Sequence, residues 1–429
     1  MAETSTVTTS FWHPFADMGA VSRSELVIER GEGVYVFDAD GKRYLDGTAA
    51  LWYANIGHGR ADVAEAVARQ MSKLEAYSTF GDFGNRPANE LAERLASVAP
   101  MEDARVFLAS GGGDAIDTAA KIARRHWILR GQPERIHLIS RTQGYHGTHG
   151  FGTSVGGIEA NVTNWGPLIG GVSTVPFDSL EALEAEFLRV GPDRVAAFFC
   201  EPVLGAGGVH PPPEGYIEGV ADLCAEHGVL LVIDSVICGF GRLGTWFGVE
   251  RWEDVKPDLI TFAKGVTAGY LPLGGVVVSG EVAAPFFEAP GGPMLRHGAT
   301  YAGHPTVCAA ALEVMDIYER ENLLVRGREL EQPLLDALAP LVDHPAVTAV
   351  RGGCGLLAAV QLASNDLVAK VAQGAREAGV LVRPLLGSIA VSPPLIVEQE
   401  HLEQLADGFR AGLDRIGTAE PKPDPSSGV

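Results

Sequence analysis

Residues Val229–Gly244 read VLLVIDSVICGFGRLG: five apolar residues in a row, an aspartate, and then Gly239, Gly241 and Gly244 in the spacing G-x-G-x-x-G. That spacing raises the prospect of a dinucleotide site, which demands a strand, an immediate glycine turn and a helix whose first amides hold a pyrophosphate. The strand is present and the rest is not. Asp234, Ser235, Val236, Ile237 and Cys238 separate the apolar run from Gly239. After Gly244 the chain continues TWFGVERWEDVKPD, with bulky aromatics, a glycine and a proline where an amphipathic helix should begin. What the stretch does offer is Asp234, a carboxylate closing an uninterrupted apolar run. Such runs mark strands buried on both faces, as in a parallel sheet.

The same pattern recurs at Val106–Leu108, Ile136–Ile139, Val195–Cys200, Leu259–Phe262 and Val276–Val278, with the amphipathic segments AIDTAAKIARRHWILR and YIEGVADLCAEHG between them. This alternation predicts an α/β fold, a mostly parallel sheet covered by helices on both faces. Nearer the start, VYVFDADGKRYLDG predicts a hairpin about Asp40-Gly41. ADVAEAVARQMSKL predicts a helix with Val63, Val67 and Met71 on one face. A long helix over Cys308–Arg326 leads into a second, smaller unit holding the strand-like LLAAVQL and VLVRPL. The expected organisation is an N-terminal segment (1–60) joining the small domain, a large domain (61–326), a C-terminal small domain (327–417) and a disordered proline-rich tail (418–429).

Composition narrows the function. A formal charge of −21 on 429 residues opposes nonspecific binding to nucleic acid or to anionic membranes, both of which need a positive field. No apolar stretch approaches the ~20 residues of a membrane span, and MAETSTVTTSFWHPFADM has neither a basic start nor an apolar signal core. A cytoplasmic protein is expected. The five cysteines are far apart with no C-x-x-C pair, which suggests buried free thiols rather than a zinc site or a disulfide framework.

In a sheet of this kind ligands bind beyond the carboxyl ends of the strands, and four such ends carry chemistry. After VFL comes ASGGGDAIDTAAKIAR, three glycines opening onto a helix. Free amides and the helix dipole favour an anion there, although a flexible linker would read the same way. No G-K-[ST] follows, so a nucleoside triphosphate is not expected. At the next end, GYHGTHG places Tyr145 between glycines, where a ring can lie against a planar ligand. His146 and His149 are conceivable metal ligands, but no third ligand follows at helical spacing, and no metal is expected. Asp234 closes the next run. LITF ends in Ala263-Lys264-Gly265, where desolvation would lower the lysine pKa toward a nucleophilic amine, unless Lys264 is merely a loop residue. Together the four suit pyridoxal phosphate, which needs a lysine Schiff base and an acidic partner for its ring nitrogen.

With these residues in view, the chain resembles the class III, fold-type-I pyridoxal-phosphate aminotransferases, and within them the ω-aminotransferase branch that uses pyruvate. The resemblance runs from about Trp12 to about Ile396 and is carried in order by YLDGTAALW, NIGHG, CEPVLGAGGVHPPPEGY, VIDSVICGFGRLG, LITFAKGVTAGYLPLGG and HGATYAGHP. It implies a large domain with a mostly parallel seven-stranded sheet and a smaller α+β domain. It also implies a ping-pong transaminase moving an amino group from an ω-amino acid or amine to a 2-oxo acid.

By the same resemblance Lys264 forms the Schiff base and shuttles a proton, and Asp234 holds the ring-nitrogen proton. Tyr145 and Val236 flank the ring, Gly112 and Gly113 supply phosphate-binding amides, and Thr300 reaches the phosphate from the neighbouring subunit of a homodimer with shared sites, alone or paired as a tetramer. Trp52 walls the substrate pocket, Arg383 pairs with a keto-acid carboxylate, and Glu201 lies near the cofactor. Two positions depart from the family pattern: Gly113 stands where a hydroxyl side chain is usual, and Ser235 where glutamate is. Aminomutases and decarboxylases share the lysine and the aspartate, so they remain the alternative, with a catalytically silent scaffold behind them.

Overall fold

The computed structural model describes residues 10–288 and 291–416. The expected disordered tail, 418–429, lies outside the described residues. Seven strands make the central sheet: β1 (Arg105–Ala109), β2 (His137–Arg141), β3 (Val172–Val175), β4 (Val195–Cys200), β5 (Leu230–Asp234), β6 (Leu259–Phe262) and β7 (Gly274–Val278). Their spatial order is β1-β7-β6-β5-β4-β2-β3, and only β7 runs antiparallel to its neighbours. Every residue of β4, β5, β6 and β7 is buried. Side-chain alternation explains why the runs are continuous: Leu231 and Ile233 pack into the core on one side of β5, Leu230 and Val232 into the core on the other.

Two smaller sheets complete the fold. Ile28–Glu32, Tyr35–Asp38 and Arg43–Asp46 form antiparallel pairs turning through Gly41, and Arg43–Asp46 then pairs in parallel with Val380–Leu381. The N-terminal strands are thus joined to a strand more than 300 residues later. Val347–Arg351, Ala358–Leu362, Ser388–Val391 and Arg383–Pro384 form the other, wholly antiparallel sheet. The segment VLVRPL is therefore two short strands in two sheets.

Two helix expectations change. Cys308–Arg326 is not one helix: Pro305–Arg320 ends near Asn322, whose φ of 56° breaks the turn, and Leu323–Glu329 begins anew. On Ala61–Lys73 the apolar stripe is shorter than its periodicity suggests, with Val63 and Ala66 buried but Met71 54% exposed. Strand β3, with the sequence VSTV, carries too weak an apolar signal to be read from sequence.

The glycines of GFGRLG also find their reason. Gly241 and Gly244 adopt φ of 84° and 77°, and a Cβ on Gly241 would stand 2.5 Å from Leu395. They build a tight loop, not a helix start. Between them Arg242 is fully buried, its guanidinium donating to the carbonyls of Leu356 and Pro393 and to Asn55 Oδ1, each at 2.7 Å.

Candidate active site

The carboxyl ends of β1, β2, β4, β5 and β6 converge on a cavity of about 1040 Å³. Gly112, Gly113, Tyr145, Glu201, Asp234, Val236 and Lys264 all line it, and Trp52 and Arg383 close it from the side of the smaller sheets. Thr300 lies on an exposed turn and is not among the lining residues.

Asp234 ends β5 facing Thr261 of β6. Its Oδ1 accepts from Thr261 Oγ1 and from the Val236 amide, both at 3.1 Å. Its Oδ2 lies 2.8 Å from Nδ1 of the buried His146. A carboxylate 3% exposed is tolerable only when so partnered. His146 is a site residue that the sequence does not single out beyond a metal role that is not expected, and the structure sets it against Asp234 as an orienting partner. The signal was its position at the end of β2, the rule that singled out its neighbour Tyr145. Among the described residues no group of three His, Cys, Asp or Glu is gathered to hold a metal.

Lys264 follows β6 and opens a single 3-10 turn with φ of 48°, backbone that costs a non-glycine residue energy and tends to mark functional positions. Burial pushes its amine pKa down, while Asp234 and Glu201 pull it back up. Glu201 follows β4. Its Oε1 accepts from the Tyr145 amide at 3.0 Å and its Oε2 from the Gly205 amide at 2.9 Å. Burial raises its pKa, with His146 acting in the opposite direction. Both oxygens are thus committed to backbone, so Glu201 fixes the Tyr145 loop. The Tyr145 phenol is itself pushed up, by burial first and by Asp234 second.

At the end of β1, Gly111 starts the 18-residue helix Gly112–Leu129 with no side-chain cap, leaving its first amides open. A Cβ on Gly112 would come within 3.0 Å of Val236 Cγ1, and one on Gly274 within 2.5 Å of the Gly111 backbone. A side chain at 112 would crowd Val236, and glycine at 274 is required by the Gly111 backbone. Ser235, the other departure, is fully buried and turned away from the cavity, its hydroxyl donating to the Phe247 carbonyl at 2.5 Å. It supports the loop and not the substrate.

The substrate side is built on strained backbone. Ala49, Ala50 and Trp52 all have positive φ, at 46°, 57° and 65°. The Asp46 carboxylate clamps this turn: Oδ2 accepts from the Ala50 amide at 2.6 Å and lies 2.8 Å from His58 Nε2, while Oδ1 accepts from the amide and hydroxyl of Thr48 at 3.2 Å. Arg383 lies on an edge strand and forms no ion pair among the described residues. Although the residue is exposed at the sheet edge, partial desolvation of the guanidinium inside the cavity lowers its pKa, with Tyr145 pulling the other way. Phe15 also lines the cavity, its ring 6.5 Å from that of Tyr145.

These residues fit pyridoxal phosphate. The uncapped glycine-led helix start suits a phosphate, the hydrogen-bonded buried carboxylate suits a protonated ring nitrogen, and the desolvated lysine suits a carbonyl carbon.

Comparison with known proteins agrees. The family described as aminotransferase class-III matches residues 18–413. The putrescine–pyruvate aminotransferase of Pseudomonas aeruginosa is 35% identical over 95% of this chain and 94% of its own. The omega-aminotransferase of Caulobacter vibrioides is 34% identical over 95% and 98%. Among solved structures, an amine transaminase from an uncultivated Pseudomonas species in its PLP-bound form superposes with a TM-score of 0.91 at 38% identity, covering 96% of this chain and all of that one. The (S)-enantioselective omega-transaminase of Thermomicrobium roseum gives 0.91 at 38%, covering 94% and 96%. The chain belongs to the class-III aminotransferases, fold-type-I enzymes whose cofactor is pyridoxal phosphate.

Proposed function

We propose that the protein is an ω-transaminase that moves an amino group from an amine or ω-amino acid to pyruvate or another 2-oxo acid, by a ping-pong mechanism. The observation that carries this reading is the pairing, in one cavity, of Lys264 and Asp234 with Arg383, a cation with no carboxylate partner among the described residues. The relatives' substrates, putrescine with pyruvate and β-alanine with pyruvate, support the donor class and the acceptor. Family membership and the transaminase neighbours disfavour an aminomutase or decarboxylase.

When bound, pyridoxal phosphate supplies a carbonyl carbon for the amine and a ring that accepts electrons. Lys264 would hold that carbon through Nζ, and its free amine would be the group in the cavity able to carry the proton exchanged at the reacting carbons. Asp234 keeps the ring-nitrogen proton in place, and His146 and Thr261 hold its carboxylate still. The amides of Gly112 and Gly113 would hold the phosphate, Tyr145 and Val236 would flank the ring, and Glu201 fixes the Tyr145 loop. Trp52 limits the size of the donor. Arg383 binds the 2-oxo acid carboxylate with its planar fork.

The dimer belongs to the same proposal. Thr300 is exposed and outside the cavity of its own chain, as expected if it completes the phosphate site of the partner in a homodimer. Exposed Tyr77, Phe80, Phe83, Met294 and Tyr301 provide an apolar face for that contact. The domain organisation is proposed as the sequence reading has it, with the N-terminal strands joined to the small domain. No helix among the described residues is long and apolar enough to cross a membrane, and the proposed location is the cytoplasm.

The test is an absorbance spectrum of the purified protein, then addition of an amine panel with pyruvate while alanine is assayed. A visible band that bleaches with a donor and returns with pyruvate, with alanine formed, is expected. A band that bleaches without alanine would overturn pyruvate as acceptor, and a protein that takes up no cofactor would overturn the whole reading.

A further inference from the structure

We propose that His297 is a positioning residue for the partner subunit's cofactor site, pinning the segment that carries Thr300 to the helix Gly112–Leu129 of its own chain. The inference rests on the proposed homodimer, in which Thr300 completes the phosphate site of the partner, and it names the contact that sets Thr300 in place. Thr118 and Lys121 stand three residues apart on that helix and so share a face. His297 bridges them. Its Nε2 lies 2.8 Å from Thr118 Oγ1, its Nδ1 lies 3.2 Å from Lys121 Nζ, and its ring stacks on Phe107 of β1 at an interplanar angle of 13°.

These partners fix the state of the imidazole. An ammonium only donates, so Nδ1 accepts from Lys121 and the ring proton sits on Nε2. The buried Thr118 oxygen accepts that proton, its own hydrogen going to the Asp114 carbonyl at 2.6 Å. Burial first, and Lys121 second, push the imidazole pKa below its ordinary value, while Asp117 and Asp114 act in the opposite direction. The ring is thereby kept neutral, as the contact with Lys121 requires. Beyond His297 the segment is held again at Ala302, whose carbonyl accepts from Thr79 Oγ1, and at Gly303, whose carbonyl accepts from Asn85 Nδ2, both at 2.8 Å. Between the two anchors Thr300 and Tyr301 are exposed. Without His297 the next hold on that side is Leu295, packed against the core beneath the helix, and the longer free span has more conformations to lose when it meets the partner.

The experiment uses hybrid dimers in which one chain carries Lys264→Ala, so that a single site per dimer can link the cofactor to a lysine and give the visible band. Apoprotein is titrated with pyridoxal phosphate and, separately, with pyridoxal, which lacks the phosphate. With His297→Ala on the Lys264→Ala chain, the lysine-bearing site takes its Thr300 segment from the altered chain. Loss of the His297 hydrogen bonds then predicts about a tenfold rise in Kd for pyridoxal phosphate, with pyridoxal binding unchanged. With His297→Ala on the lysine-bearing chain, both ligands should bind as in the hybrid that keeps His297. His297→Gln on the Lys264→Ala chain should restore most of the affinity, because its amide keeps a donor for Thr118 and an acceptor for Lys121. An unchanged Kd in the first hybrid or the reverse pattern would overturn the proposal, as would equal losses for the two ligands, which mark a structural role. A wild type that is monomeric on gel filtration would overturn the homodimer and this inference with it, whereas a wild-type dimer that takes up no pyridoxal phosphate would overturn the cofactor reading on which both depend.

Discussion

The Asp46 clamp should decide whether Trp52 keeps its place in the cavity. The two short contacts at Asp46 Oδ2, to the Ala50 amide at 2.6 Å and His58 Nε2 at 2.8 Å, are bonds to a charged acceptor. At about 1.5–3 kcal/mol each they supply roughly 3–6 kcal/mol. Against them stands the backbone they hold: positive φ at Ala49, Ala50 and Trp52, which at about 1–3 kcal/mol per residue stores roughly 3–9 kcal/mol. The two quantities are of the same size, so removing the carboxylate lets the turn relax and carries Trp52, now 3% exposed, off the cavity wall. Asp46→Asn keeps one oxygen for Ala50 and His58 and should relax little. The assay is kcat/KM for a small amine and a bulky aromatic amine, each with pyruvate. Asp46→Ala should change the ratio between the two donors by about tenfold, Asp46→Asn far less. If Asp46→Ala lowers thermal stability yet scales both donors equally, the clamp does not set the wall and the reasoning fails.

Four further substitutions test the site and the sheet. Lys264→Ala should leave a protein that holds cofactor noncovalently and lacks turnover, and Asp234→Ala should lose several orders of magnitude in kcat; near-normal rates in stopped-flow assays would contradict either role. Arg383→Ala should raise the KM for pyruvate roughly tenfold while that for an uncharged amine donor changes little, and equal shifts would remove Arg383 from acceptor binding. Asp258, whose Oδ2 accepts from the Leu231 amide at 2.8 Å, has its pKa raised by burial to about 6. Because the folded state holds this proton more tightly than the unfolded chain, its contribution to stability falls as pH rises from about 4 to about 6 and is flat above. Asp258→Asn should remove that part of the slope in denaturant midpoints measured across the window.

The inner strands and the residues at their ends were legible because both obey local rules. A strand buried on two faces must be apolar throughout, and a parallel sheet presents ligands at its carboxyl ends, so Asp234 and Lys264 stand out in a single sequence. The residues that escaped notice act through contacts distant in the chain. His146 lies 88 positions from Asp234, and its role depends on β2 and β5 lying on either side of β4. The Asp46 clamp uses neighbours in sequence, but nothing local announces three alanine and tryptophan residues in backbone that favours glycine. The break at Asn322 is hidden for the opposite reason, since the apolar pattern continues across it and only the left-handed backbone at Asn322 reveals the gap.

The glycine spacing that first suggested a dinucleotide has a mechanical meaning. GFGRLG is the tight turn through which the chain following the strand bearing Asp234 delivers Arg242 into the contact between the large sheet and the substrate-side elements. Arg242 reaches Leu356 and Pro393, on either side of the strands that carry the Arg383 wall, and Asn55, which follows the strained turn of Trp52. Asn55 in turn donates to the Phe240 carbonyl at 2.8 Å. Among the described residues no carboxylate pairs with this guanidinium, and burial lowers its pKa to about 10. A buried, unpaired charge is costly, and it is tolerable here because separate segments turn carbonyl oxygens toward it. Those segments are the ones that shape the substrate pocket. The arrangement ties the chemistry at Asp234 to the specificity at Trp52 and Arg383 through one side chain, so the donor pocket cannot shift far without disturbing the loop that follows the cofactor aspartate.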